Sequence, residues 1–133
     1  MKKIQVEIPI KTISEANCSE HWSKKSKRHK RQQFFIRIAL NKYVKELKLP
    51  CTVILTRISP RLLDDDNLIS AFKWIRDEIS ELIIPEKSCS YITKIGKIRR
   101  IKGRADSDYR ISWKYFQEKG SIAHIRVEIQ FEN

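Results

Sequence analysis

Two stretches with a helical hydrophobic period, set on either side of a short β-branched run, most restrict what this chain can fold into. Ile36, Ala39, Leu40, Tyr43, Val44 and Leu47 recur at the i, i+3, i+4, i+7 spacing that gives a helix one apolar face. Leu68, Ala71, Phe72, Ile75, Ile79 and Leu82 repeat that period. Between them, residues 51–58 are mostly apolar and β-branched and read as a strand. Leu49-Pro50 and Ile84-Pro85 end the two helices, because a residue before proline is driven out of the helical region.

Period two appears at both ends of the chain. Ile4, Val6 and Ile8 alternate with polar neighbours. Tyr109, Ile111, Trp113 and Tyr115 alternate with Arg110, Ser112 and Lys114, and Ile125, Val127, Ile129 and Phe131 with Arg126, Glu128 and Gln130. Each pattern predicts a strand with one buried face. Gly120-Ser121 lies between the last two and predicts a hairpin there. The order is β-α-β-α-β-β, an α/β (α+β) fold with a mixed sheet and two main helices. The 133 residues suit a single domain spanning 1–133. Residues 84–104 break the pattern as an irregular, basic insertion carrying Lys87, Lys94, Lys97, Arg99, Arg100, Lys102 and Arg104.

No apolar run approaches the roughly 18–20 residues that span a bilayer. The basic start leads into alternation and not into a signal-peptide apolar block. Cys18, Cys51 and Cys89 are odd in number and fit no zinc or disulfide spacing. The expectation is a soluble, cytoplasmic protein with reduced thiols and no membrane partner.

Charge narrows the partner. The net charge is +12, and residues 1–60 hold 14 Lys/Arg against 4 Glu, whereas residues 61–133 hold 14 against 12 Asp/Glu. Lys24, Lys25, Lys27, Arg28, Lys30 and Arg31 put six cations into eight residues at the start of the first helix. Such a block repels itself and favours an anionic partner, with nucleic acid the foremost reading. A solvated helix end is the alternative.

Within this cationic chain stands Leu63-Asp64-Asp65-Asp66-Asn67-Leu68. One Asp suffices to cap a helix; three in a row leave two to explain. In an extended loop Asp64 and Asp66 point to one side, offering hard oxygen ligands to a divalent metal. Asp65 is then left for solvent or capping, and Asn67 for orienting a carboxylate. Asp66, Ser70, Lys73 and Asp77 follow at i, i+4, i+7 and i+11. That shared helix face would bring Lys73 toward a phosphate beside the metal, or leave it paired with Asp77 in solvent. Asp106 and Asp108 form a second acidic pair, a source of a third ligand or an ordinary turn.

Leu63-Asp64-Asp65-Asp66-Asn67-Leu68, then Ala71-Phe72-Lys73 and Arg76-Asp77, resemble the core of the RusA family of Holliday-junction resolvases, most closely its phage and prophage members. Asn17…His21-Trp22…Lys25 and Asp106-Ser107-Asp108…Trp113-Lys114-Tyr115…Gln117…Lys119-Gly120 extend the resemblance in the family's order. It implies a homodimeric endodeoxyribonuclease that needs Mg²⁺, one or two ions with Mn²⁺ as a substitute, and nicks branched DNA symmetrically at four-way junctions in recombination and repair. The family's essential carboxylates fall on Asp64, Asp66 and Asp106, with Asp108 the alternative. The family's lysine, one turn past the second aspartate, is Ser70 here; Lys73 is the candidate replacement. Flanking backbone would fall to the basic helix with Arg110 and Lys114, and Trp22 would stack or wedge at the junction. A nuclease for flap or other branched DNA and a non-catalytic basic DNA-binding protein are the competing readings.

Overall fold

A computed structural model describes residues 1–14, 19–85, 89–92, 94–101 and 105–132, with the side chains of 89–92 and 99–101 outside that description. Its main sheet has four strands: β1 (Lys2–Ile8), β2 (Cys51–Ser59), β5 (Ile111–Lys119) and β6 (His124–Phe131), in the spatial order β1-β6-β2-β5. β6 runs antiparallel to both β1 and β2, and β2 runs parallel to β5, so the sheet is mixed as expected. The helices are α1 (Trp22–Leu40), α2 (Asp65–Ala71) and α3 (Lys73–Ile83), and a 3₁₀ turn, Asn41–Glu46, prolongs α1.

The alternation in sequence sets which sheet face is buried. Ile4 and Ile8 on β1, Val53 and Leu55 on β2, and Ile125, Val127 and Ile129 on β6 all point inward. Against them pack Ile36 and Leu40 of α1, and Phe72, Ile75 and Ile79 at the start and along the length of α3. Each of these large side chains is worth about 1.5–3 kcal/mol when removed from water.

Three local expectations are corrected. β5 and β6 are not a hairpin: β2 lies between them. The mostly apolar β2 gains most from a central place, while β5, with Ser112, Lys114 and Glu118 exposed, suits an edge. The connection from β5 to β6 crosses the end of β2, where the Gly120 N–H donates to the Ser59 carbonyl at 3.1 Å. A Cβ at Gly120 would stand 2.5 Å from Ile58 Cγ2, so this crossing requires glycine. Next, the second predicted helix is two, broken at Phe72, which is fully buried with φ −96° and ψ 0°. Finally, the insertion is not wholly irregular, since β3 (Cys89–Ile92) and β4 (Ile98–Ile101) pair antiparallel around a turn with Gly96 at φ +82°. Its residues 86–88, 93 and 102–104 lie outside the described residues.

No helix among the described residues is long and apolar enough to cross a membrane.

Candidate metal and nucleic-acid site

The acidic run leaves the carboxyl end of β2 and is held from three sides. Arg57, on β2 and only 7% exposed, donates through Nε to Thr12 Oγ1 at 3.1 Å and through Nη1 to the Arg61 carbonyl at 2.7 Å. Burial draws its guanidinium below the usual arginine range, and the two bonds offset part of that desolvation. Gln117, on β5, lies alongside Leu63: its Nε2 donates to the Leu63 carbonyl at 2.6 Å and its Oε1 accepts from the Leu63 N–H at 2.9 Å. Ser14 Oγ donates to Asn67 Oδ1 at 2.7 Å. The loop therefore presents its carboxylates from a fixed frame, without an ordering cost at the moment of binding.

Within that frame Asp64 is the N-cap of α2, its carboxylate accepting from the Asn67 N–H at 3.1 Å. Capping thus falls to Asp64 and not Asp65. Asp65 and Asp66 occupy the first helical turn, favourably placed for the helix dipole. Because those two are helical, the extended alternation that aligned Asp64 with Asp66 does not hold. All three carboxylates remain exposed. It is the Asn67 backbone N–H that orients Asp64, while the Asn67 side-chain oxygen accepts from Ser14.

The second acidic pair is occupied differently. Asp106 sits in a short 3₁₀ turn, Ala105–Ser107. Its carboxylate is 3.5 Å from Arg76 Nε, and its carbonyl accepts from Arg76 Nη2 at 2.8 Å and Trp113 Nε1 at 3.0 Å. Arg76 also donates to Tyr115 Oη at 2.8 Å and lies 4.7 Å from the Trp113 ring centre. Asp108, its side chain 4% exposed, forks onto Arg110 at 2.9 and 3.0 Å and also accepts the Arg110 N–H. Arg110 is therefore committed to Asp108. Trp113 reaches the Asp106 backbone and Gln117 reaches that of Leu63, four residues apart on one strand, or about 13 Å. Among the described residues no three His, Cys, Asp or Glu side chains converge to hold a metal ion.

The cations divide as well. Lys24, Lys27, Lys30 and Arg31 are exposed on α1, while Arg28 is bound by Glu20. Lys73 is exposed, with its ammonium 5.3 Å from the Trp74 ring centre, and that ring stacks on His29 of α1 at 4.0 Å. The break at Phe72 interrupts the helix face expected to run from Ser70 to Lys73. Lys114 is exposed on the sheet face opposite Trp113 and Tyr115, away from Arg76. Trp22 is 73% exposed beside His21 and belongs to no core. Asn17, part of the family resemblance, lies outside the described residues.

Arg57, Arg76 and Gln117 carry most of this architecture, and none stood among the candidate site residues. Arg57 had a signal: a lone charge inside an apolar strand must be paired. Compared with protein-family models, with curated proteins and with solved structures, the chain has no match.

Proposed function

We propose that this protein is a Mg²⁺-dependent endodeoxyribonuclease for branched DNA, with the four-way junction as its substrate. The observation that carries the reading is the acidic run at 64–66, exposed yet pinned by Arg57, Gln117 and Ser14 in a chain of net charge +12. Capping uses Asp64 and the helix dipole favours Asp65 and Asp66, but three adjacent carboxylates still repel one another and the phosphates of a polyanion, and a positive ion between them relieves both.

The donor set suits Mg²⁺, which keeps much of its water and is bound through one or two carboxylates together with substrate phosphate. Asp64 and Asp66 would supply those carboxylates. Asp106, beside Arg76, joins them only if Arg76 gives it up. When bound, the ion supplies Lewis-acid activation of water and neutralises charge developing on the phosphate. Lys24, Lys27, Lys30 and Arg31 would hold flanking phosphates, and Lys73 stands at the head of α3 to take another. A two-fold dimer suits symmetric nicking of a four-way junction.

The test uses labelled four-way junction, flap and plain duplex, with Mg²⁺ or EDTA, comparing the wild type with Asp66→Asn. Junction cutting only in Mg²⁺, lost in Asp66→Asn, is expected. Cutting of flaps alone would redirect the substrate. Light scattering should return twice the chain mass of 15.8 kDa. A second reading, a non-catalytic basic DNA-binding protein, draws on Asp64 acting as a helix cap; tight binding with no Mg²⁺-dependent cutting would establish it.

A further inference from the structure

Between the end of β1 and the exposed half of α1 lies a cleft of about 380 Å³, within the size of small-ligand sites. Its rim is cationic, with Lys11, Lys27 and Arg31 exposed and Arg28 held by Glu20. Its floor is apolar, with Ile10 buried at 4% exposure and Phe35 packed against the core. The Arg31 guanidinium lies over the Phe35 ring, 5.6 Å from its centre, so a cation and an aromatic ring share one wall.

The informative residue is Gln32. It lines the cleft and is only 5% exposed. Its side-chain nitrogen and oxygen are not among the buried side-chain atoms left without a partner. An amide in the wall of a cleft offers a donor and an acceptor side by side to whatever enters it. A bare phosphate would use the rim and waste both the amide and the apolar floor. A nucleotide uses all three, because bases present donor and acceptor atoms side by side to an amide and stack on aromatic and guanidinium planes.

We propose that this cleft takes one unpaired nucleotide of a bound DNA strand. Gln32 hydrogen-bonds the base edge, the wall formed by Phe35 and Arg31 packs against one face of the base, and Lys11 and Lys27 hold its phosphates. The inference rests on the nucleic-acid reading above and adds a base-reading site to it. The cleft adjoins the acidic loop. From Lys11 the chain passes Thr12, bound by Arg57, to Ser14, bound to Asn67, at most about 10 Å of backbone. One strand can therefore cross both places.

The test is binding in EDTA, where no cutting occurs, to fluorescein-labelled 12-mers of dA, dC, dG, dT and an abasic strand. Wild type should bind at least one base about tenfold more tightly than the abasic strand. Gln32→Met, which keeps the shape and removes the hydrogen bonds, should shrink that ratio to within about twofold. Lys27→Ala should weaken all five alike and lower the salt slope by about one. Photo-crosslinking of the unaltered protein to a 5-iododeoxyuridine strand should label the stretch containing Phe35, whatever the variants do. A folded Gln32→Met with the wild-type base preference, or no crosslink at that stretch, would overturn the inference. Competition by free deoxynucleoside monophosphates as strong as by the 12-mers would overturn the strand assignment. Asp66→Asn should keep the base preference. Wild-type protein that shows the preference but cuts no junction in Mg²⁺ would therefore fault the nuclease reading alone, and normal cutting without any preference the cleft alone.

Discussion

Replacing Gln117 with Met tests whether the acidic loop is held by the sheet or stands unaided. The Gln117 amide makes two bonds to the Leu63 backbone, at 2.6 and 2.9 Å, and Met keeps its length while making neither. Each such bond contributes about 1 kcal/mol net, and a buried backbone group left unpaired costs about 1–3 kcal/mol. Leu63 is half-buried, so water recovers part of that, and the sum is about 2 kcal/mol. For a chain of this size that lowers Tm by about 5–10 °C, readable by urea or thermal unfolding. The more specific reading is hydrogen exchange: the Leu63 amide, donated to Gln117 in the wild type, should lose protection while β2 and β6 amides keep theirs. Gln117→Glu sharpens the test. A carboxylate can still accept from the Leu63 N–H but opposes its carbonyl, so the Glu pKa should rise above its unfolded value of about 4.3. The protonated acid restores the donor; stability relative to wild type is then highest below pH 4 and is lost as pH rises through the raised folded pKa. A Gln117→Met protein within about 0.5 kcal/mol of wild type, with Leu63 still protected, would refute the loop's dependence on β5.

Three further outcomes follow from the same structure. Asp64→Ala should cost about 1 kcal/mol through loss of the cap, whereas Asp64→Asn, still a good N-cap, should be nearly neutral in stability and yet cut DNA poorly; equal cutting by Asp64→Asn and wild type would leave Asp64 with capping alone. Gly120→Ala should cost about 1–3 kcal/mol in chemical denaturation, because the added methyl meets Ile58 and the crossing has to shift. Burial pushes the Cys51 thiol up from 9.0 to about 11, so the unfolded chain releases its proton first as pH rises. Stability relative to Cys51→Ala should fall between pH 9 and 11, by about 2 kcal/mol, and the native thiol should resist alkylation at pH 8.

Much of this fold was readable because apolar period and burial coincide. The alternations at 4–8 and 125–131 identify the inward residues of β1 and β6, and the helical period at 68–82 marks Phe72, Ile75 and Ile79 as core. Strand pairing was not readable in the same way. Gly120-Ser121 suits a tight turn and a crossing equally, and what decides is the strength of β2 as a centre strand, a tertiary effect. The candidate site divides along a similar line. Residue type pointed to Asp64–Asp66 and to the basic half of α1, since clustered charge is visible in sequence. The restraints on that charge come from residues 45–54 positions away, as with Thr12 to Arg57, Ser14 to Asn67 and Leu63 to Gln117. A hydrogen bond across such a distance leaves no local pattern, so the roles of Gln117 and Arg76 emerge only when β5 is laid beside β2.

The central position of β2 also orders events in time. During synthesis β2 and the acidic run emerge together, yet both neighbours of β2 in the sheet, β5 and β6, come from a later stretch, 111–131. Contacts so distant in sequence form slowly and late. Until then Leu63 has no Gln117 and Asp106 no Tyr115–Trp113 platform for its Arg76 partner. An incomplete chain thus carries its carboxylates without the frame that positions them, and any activity at the acidic loop is withheld until the last strand has docked.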